Sequence, residues 1–133
     1  MKNYFKIQEL VPPAVYADQG ERAWRLIDSG LVYTLNCLRE VHGPITVNNW
    51  HIGGPREWSG LRTPDSPYYS PGSYHSCGQA ADCLFSNEPV TLVRTHILAF
   101  DKFPLVGGIE LDVSWLHVDV RQRRDGKIIT FSK

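Results

Sequence analysis

The sequence has no long apolar run and no excess of either charge. No stretch of its 133 residues approaches the roughly 20 consecutive apolar residues that span a bilayer, so we predict no membrane segment. The 14 Lys and Arg residues balance 14 Asp and Glu residues, which argues against a general nucleic-acid binder. The first ten residues lack the apolar core of a signal peptide, and we therefore expect the chain to be cytoplasmic as synthesised.

Cysteine is also scarce. Cys37, Cys77 and Cys83 make an odd number, and no C-x-x-C pattern joins them, so we predict reduced thiols rather than a disulfide framework. Zinc ligation by Cys77 and Cys83 remains an alternative. The length and a hydrophobic content of 42% suit one domain, residues 1–133, with a real core.

Apolar periodicity and turn residues predict helices early in the chain and strands late in it. Helices are expected from Pro13, over 21–27, over 30–42 and over 89–100 (with Ser86 or Asn87 as the cap), and strands over 45–50, 80–85, 107–112, 114–120 and 127–131. We expect the last three strands to form an antiparallel meander, because Asp125-Gly126 is a strong hairpin signal. The predicted fold class is α+β, with N-terminal helices packed on a mainly antiparallel sheet.

Residues 51–74 are loop-like and rich in Gly, Pro, Ser and Tyr. A loop of that length in a compact domain is unusual and is often functional. Its aromatic residues, among them Trp58, Tyr68 and Tyr69, either wall a substrate groove or pack within the loop.

Three residues form a candidate metal site: His75, Asp82 and His117. The small residues between His75 and Asp82 suit a tight turn from a loop into a strand, which lets an imidazole and a carboxylate converge. In the later strand, period-2 alternation puts Trp115, His117 and Asp119 on one face. Imidazole nitrogen and carboxylate oxygen are zinc ligands, and three protein ligands leave a fourth position for the water that hydrolysis needs.

A lone histidine in a strand is more often an ordinary core or surface residue, and composition favours that interpretation. His42, His51 and His96 are interpreted in this way. His42 ends a predicted helix, where the helix dipole favours a cation.

For His75, Asp82 and His117, the surrounding sequence pattern favours a metal site over ordinary core or surface residues. The pattern Ser-x-His-x-x-Gly-x-Ala-x-Asp over residues 73–82 resembles the signature of the M15 zinc peptidases. Residues 115–121 resemble that family's His-x-Asp strand, and Ser-Gly-Leu-Arg at 59–62 resembles its Ser-Gly-Tyr-Arg segment. The family includes D-alanyl-D-alanine carboxypeptidases, dipeptidases and phage endolysins, and shares its fold with the hedgehog signalling domain. The resemblance covers roughly residues 45–121 and is nearest to small bacteriophage-encoded members.

The resemblance implies a zinc peptidase that acts on peptidoglycan stem peptides, with Zn²⁺ on His75, Asp82 and His117. It implies that Arg62 holds a substrate carboxylate through its bidentate fork. Action at the cell wall would need release from the cytoplasm or another carrier.

The resemblance leaves the catalytic base open. Many members place an acid three residues before the last histidine ligand, where this chain has Ser114. The candidates are Glu110, Asp112 and Asp119, of which we favour Asp119 and Glu110. The alternative for both is a partner that orients an imidazole.

Two other functions stay open. A non-catalytic metal-binding domain of a phage, serving structure or interaction, would explain Ser114. A regulatory or assembly protein would use zinc only to hold its fold. The sequence predicts neither the scissile bond nor the oligomeric state.

Overall fold

Helices flank a five-stranded mixed sheet in residues 2–133, the part of the chain that this computed structural model describes. The α-helices are α1 (Pro13–Gln19), α2 (Ser29–His42) and α3 (Val90–Phe100), and 3-10 helices occupy Ile7–Glu9, Gly20–Leu26, Trp50–Ile52 and Tyr74–Cys77. The strands are β1 (Ile45–Thr46), β2 (Ala80–Phe85), β3 (Gly108–Glu110), β4 (Leu116–Asp119) and β5 (Ile129–Phe131). The predicted α+β class is confirmed. None of the helices described has both the length and the apolar character required to cross a membrane.

The predicted closing meander is wrong at its last strand. The sheet order is β1-β2-β4-β3-β5, and β5 pairs with β3 in parallel. Asp125 and Gly126 do form a tight turn, with φ values of 55° and 72°, closed by a bridge between Arg124 and Lys127. Strand β4 is already paired on one edge with β2 and on the other with β3, so β5 cannot pair with β4 and instead extends the sheet at the outer edge of β3.

Helix α2 follows the prediction, and two other segments depart from it. Asp28 caps α2 by accepting a hydrogen bond from the Gly30 amide at 2.7 Å. The segment predicted as a helix over 21–27 is a 3-10 helix, Gly20–Leu26. Helix α3 is capped by Pro89 instead of Ser86 or Asn87, because Pro89 itself has the extended backbone of a cap residue, with ψ 142°.

The strand predicted over 45–50 is shorter, because Asn48 bonds elsewhere. Its backbone amide donates to the Glu9 carbonyl at 2.9 Å, and its side chain bonds to the Val11 carbonyl and the Ser59 amide. These contacts leave only Ile45–Thr46 as β1 and tie the N-terminal segment to the start of the long loop.

The central strands have one apolar face and one polar face, as the alternation predicted. Leu116, Val118 and Ile109 are fully buried in the hydrophobic core on one face. In the antiparallel register Asp82 lies opposite His117, so these two side chains share the other face. The pairing of the sheet therefore brings residues 35 positions apart into one site.

Candidate metal centre

Strands β2 and β4 bring the first two candidate ligands together. The Asp82 Oδ1 atom lies 3.1 Å from the Nδ1 atom of His117. Both residues are largely buried, with 8% and 6% of their surface exposed. A carboxylate and an imidazole are thus held within hydrogen-bonding distance of each other at the polar face of the sheet.

His75 reaches the same point from the loop before β2. Ser73 caps the 3-10 helix Tyr74–Cys77 by accepting from the His75 amide at 3.2 Å. The Nδ1 atom of His75 bonds to the Gly60 carbonyl at 2.9 Å, which leaves Nε2 3.3 Å from the Asp82 Oδ1 atom. The chain turns into β2 at Gly78, whose φ is 73° and where any side chain would collide with the Leu26 carbonyl. The predicted tight turn is confirmed.

The cluster has the donor atoms and the spacing of a group that could hold a metal ion. One ligand atom from each of His75, Asp82 and His117 lies within 4.8 Å of the others, and among residues 2–133 no other group of three or more such side chains meets this condition. Ligand atoms about 2.0 Å from a tetrahedral zinc ion are about 3.3 Å apart, close to the 3.1 Å and 3.3 Å found here. The structure therefore brings the predicted ligands together as a group that could hold a metal ion.

The electrostatics of the cluster favour an ionised carboxylate. Burial alone would raise the pKa of the Asp82 carboxyl, but hydrogen bonds from His117 and His75 outweigh it and hold this pKa well below its usual range. Burial alone would lower the pKa of His117, but the carboxylates of Asp119 and Asp82 raise it to about 9. The two carboxylates therefore favour a positive charge at His117.

Asp119 lies behind His117, on the side away from Asp82. Its Oδ2 atom is 2.8 Å from the Nε2 atom of His117, and its side chain is fully buried. Both of its carboxylate oxygens also accept hydrogen bonds from Arg121. Burial would raise the pKa of Asp119, but hydrogen bonds from His117 and Arg121 lower it to about 2. This placement favours the alternative in which Asp119 orients an imidazole.

Glu110 lies on the open side of the cluster. It ends β3, and the register that pairs Ile109 with Val118 brings Glu110 opposite His117 on the polar face. A cavity of about 170 Å³ lies there, lined by Arg62, Ser73, His75, Asp82, Glu110, Trp115, His117, Phe131 and Lys133. Of the two favoured base candidates, only Glu110 lines this cavity.

Arg62 supports the cluster directly. Its Nη2 atom donates to the Asp82 Oδ2 atom at 3.0 Å, and its Nε atom donates to the Trp58 carbonyl at 2.8 Å. The side chain also lines the cavity. Part of its donor capacity is already used to hold a ligand carboxylate.

The remaining candidates lie away from this cluster. Asp112 and Ser114 are exposed beyond the end of β3. His42 bonds to Glu88 at 2.7 Å. Cys77 is exposed and Cys83 is buried, and both are free thiols, as predicted.

Sequence reasoning missed two contributors. Phe131 lines the cavity, and its ring lies 5.3 Å from that of His117. Arg121, which holds Asp119, lies at the end of the segment 115–121, in which the sequence predicted only His117 and Asp119 as site residues. Alternation in the strand would have shown Arg121 on the side of His117 and Asp119, since the three are two residues apart.

Comparisons of the chain with family models, with curated proteins and with solved structures find no match. The geometry of the cluster is therefore the main support for any function.

Binding of a divalent metal ion to this cluster is expected to release about one proton below about pH 9. The raised pKa of His117, from 6.5 to about 9, leaves its ring protonated at neutral pH without metal, whereas a ligand imidazole must be neutral. The affinity for such an ion, with zinc as the test ion, should therefore rise about tenfold per pH unit and level off above about pH 9. The same shift stabilises the metal-free fold below pH 6.5, and this contribution is lost as the pH rises to 9.

Competition titrations with a chelator of known affinity, repeated across that pH range, measure this slope. The Asp101→Asn variant is the control, because it removes a surface carboxylate that pairs with Arg123 away from the cluster, and it should leave the slope unchanged. An affinity independent of pH would contradict the prediction.

Proposed function

We propose that this protein is a zinc-dependent peptidase that hydrolyses peptidoglycan stem peptides, acting as a carboxypeptidase or an endopeptidase. The observation that supports it most is the His75–Asp82–His117 cluster, which faces a cavity also lined by Glu110. Three protein ligands beside an accessible space are typical of catalytic zinc, whereas structural zinc is usually closed by four protein ligands. The resemblance to small phage-encoded M15 peptidases supports the substrate class.

The residues of the cluster would hold the ion through the His75 Nε2, Asp82 Oδ1 and His117 Nδ1 atoms. Zinc held there would supply Lewis acidity, which would make water a nucleophile near neutral pH and polarise an amide carbonyl. The Gly60 carbonyl and Asp119 each accept from the ring nitrogen that faces away from the ion. Both imidazoles are thereby aimed at the same point.

Glu110 is the proposed general base. It would take a proton from the attacking water and later give it to the leaving amine. Asp119 is less suited to this role, since its oxygens are occupied by His117 and Arg121 and its surface is fully buried. Glu110 would thus replace the acid that many M15 peptidases have at the position of Ser114.

A wider groove beside the cluster would bind the peptide. It has a volume of about 530 Å³ and is lined by cationic and aromatic side chains, namely Arg56, Arg62, Lys133, Tyr68, Tyr69 and Trp115, with Ser59, Pro67 and Asp82. Stem peptides carry free carboxylates, which such a lining would attract. In this proposal Arg62 both holds Asp82 and meets a substrate carboxylate.

A second candidate function is a non-catalytic metal-binding domain. Ser114 favours it, because this exposed side chain replaces the expected acid. Such a protein would bind zinc and recognise a partner without cleaving it.

Mass spectrometry of purified peptidoglycan after incubation with zinc-loaded protein tests the proposal. We expect fragments with one new amino terminus and one new carboxyl terminus, and their masses identify the bond. The same protein with excess chelator is the control and should release nothing. Intact stem peptides from protein that does hold zinc would favour the non-catalytic domain. Unfolding on chelation without cleavage would favour zinc that only holds the fold.

A further inference from the structure

Arg121 donates three hydrogen bonds to the carboxylate of Asp119. Its Nε atom donates to Oδ1 at 2.8 Å, its Nη2 atom donates to Oδ2 at 2.6 Å, and its backbone amide donates to Oδ1 at 3.2 Å. Two parallel bonds from a planar guanidinium fix the plane of a carboxylate as well as its position. The rotation of the Asp119 side chain is therefore set by Arg121.

The guanidinium is itself held between two aromatic rings. Its central carbon lies 4.3 Å from the centre of the Tyr74 ring and 4.7 Å from that of Phe131. Tyr74 directly precedes the ligand His75, and Phe131 lies against His117. One arginine thus contacts the residue next to His75 and an aromatic ring that lies against His117.

Two glycines, Gly107 and Gly108, leave space for the side chains of Arg121 and Asp119. A side chain at Gly107 would collide with the Arg121 carbonyl, and one at Gly108 would press into the Arg121 Nε atom and the Asp119 carboxylate. The arginine and the carboxylate therefore lie against the backbone of these two residues, where only glycine leaves space for them.

We propose that Arg121 is a positioning residue which, by fixing Asp119, makes His117 present its Nδ1 atom to the metal. A histidine can bind a metal through either ring nitrogen, and the hydrogen bond at the other nitrogen decides which one is used. His75 would bind through Nε2 and His117 through Nδ1, because the opposite nitrogens bond to Gly60 and Asp119. Without Arg121 the buried Asp119 carboxylate would lose its fixed plane, and His117 would lose its orientation.

The inference rests on the metal site of the proposed function but not on hydrolysis. Arg121→Gln removes the fork and the charge, and Arg121→Lys keeps a charge that cannot form two parallel bonds. We expect Arg121→Gln to weaken zinc binding about 10–100-fold, with Arg121→Lys recovering only part of the loss. Chelator competition on the full chain measures both. Arg123→Gln is the matched control. Arg123 also donates two hydrogen bonds to a carboxylate, that of the half-exposed Asp101, but this pair lies away from the cluster.

Long-range ¹⁵N spectra of histidine in zinc-loaded protein test the positioning directly. The unaltered protein should show His117 with metal on Nδ1 and a proton on Nε2, and Arg121→Gln should add a second form or exchange broadening for His117. Circular dichroism shows whether Arg121→Gln is folded. If it is not, Arg121→Lys replaces it in both measurements.

Unchanged zinc affinity and an unchanged His117 spectrum in Arg121→Gln would overturn the inference. Failure of the unaltered protein to bind zinc would overturn it together with the metal site. Zinc binding that depends on Arg121, in a protein that leaves peptidoglycan intact, would support the inference and contradict only the peptidase.

Discussion

Replacing Glu110 by glutamine is expected to lower the rate of peptide hydrolysis about 10²–10⁴-fold and to leave zinc affinity unchanged. Glutamine keeps the size of the side chain but cannot accept a proton from water at neutral pH. The loss should fall on kcat, because proton transfer belongs to the chemical step, while KM changes little. Release of stem-peptide fragments over time, followed by mass spectrometry, measures the rate.

Two further variants make the Glu110 result specific. Glu40→Gln makes the same change at an exposed residue of α2 that hydrogen-bonds to Tyr4, and it should leave the rate unchanged. Asp119→Asn should lower zinc affinity instead, about 10–100-fold, because it weakens the hydrogen bond that orients His117. If Asp119→Asn abolished hydrolysis at full zinc occupancy while Glu110→Gln remained active, the roles assigned to the two acids would be exchanged.

Replacing Asp82 by asparagine is expected to weaken zinc binding about 10²-fold. The Asp82 Oδ1 atom lies within 3.3 Å of both ligand imidazoles and supplies the only negative charge among the three ligand groups. One third of a zinc binding free energy of about 10 kcal/mol is about 3 kcal/mol, which corresponds to this factor. Chelator competition at fixed pH measures the loss, and hydrolysis should fall with zinc occupancy.

Asp101→Asn is the matched control for the Asp82 variant. Asp101 forms a bidentate ion pair with Arg123 at the surface, and its positive φ of 47° is one that asparagine also tolerates. Equal zinc affinity in the two variants, close to that of the unaltered protein, would contradict the assignment of Asp82 as a ligand.

Several features of the site followed from short stretches of sequence. The spacing within residues 73–82 indicated a turn into a strand with an imidazole at one end and a carboxylate at the other, and the structure has this turn. Alternation in β4 placed His117 and Asp119 on one face. The basis of these predictions is local, because backbone geometry over a few residues decides where neighbouring side chains point.

The division of roles between the two favoured acids was not predictable in this way. Glu110 and Asp119 are both within seven residues of His117, and nothing in the spacing separates them. Their difference arises from the packing around them. Arg121 and His117 enclose Asp119, whereas the carboxylate of Glu110 ends at a cavity between β3, β4 and the loop.

The sequence by itself determined the α+β class, most of the elements and the identity of the three candidate ligands, because periodicity, turns and spacing act over a few residues. Only the tertiary structure decided the parallel pairing of β5 with β3, the ring nitrogen that each histidine aims at Asp82, and the stack that holds Arg121. These features depend on which strand edges remain free and on contacts between segments far apart in the chain. Long-range pairing of this kind leaves no local pattern in the sequence.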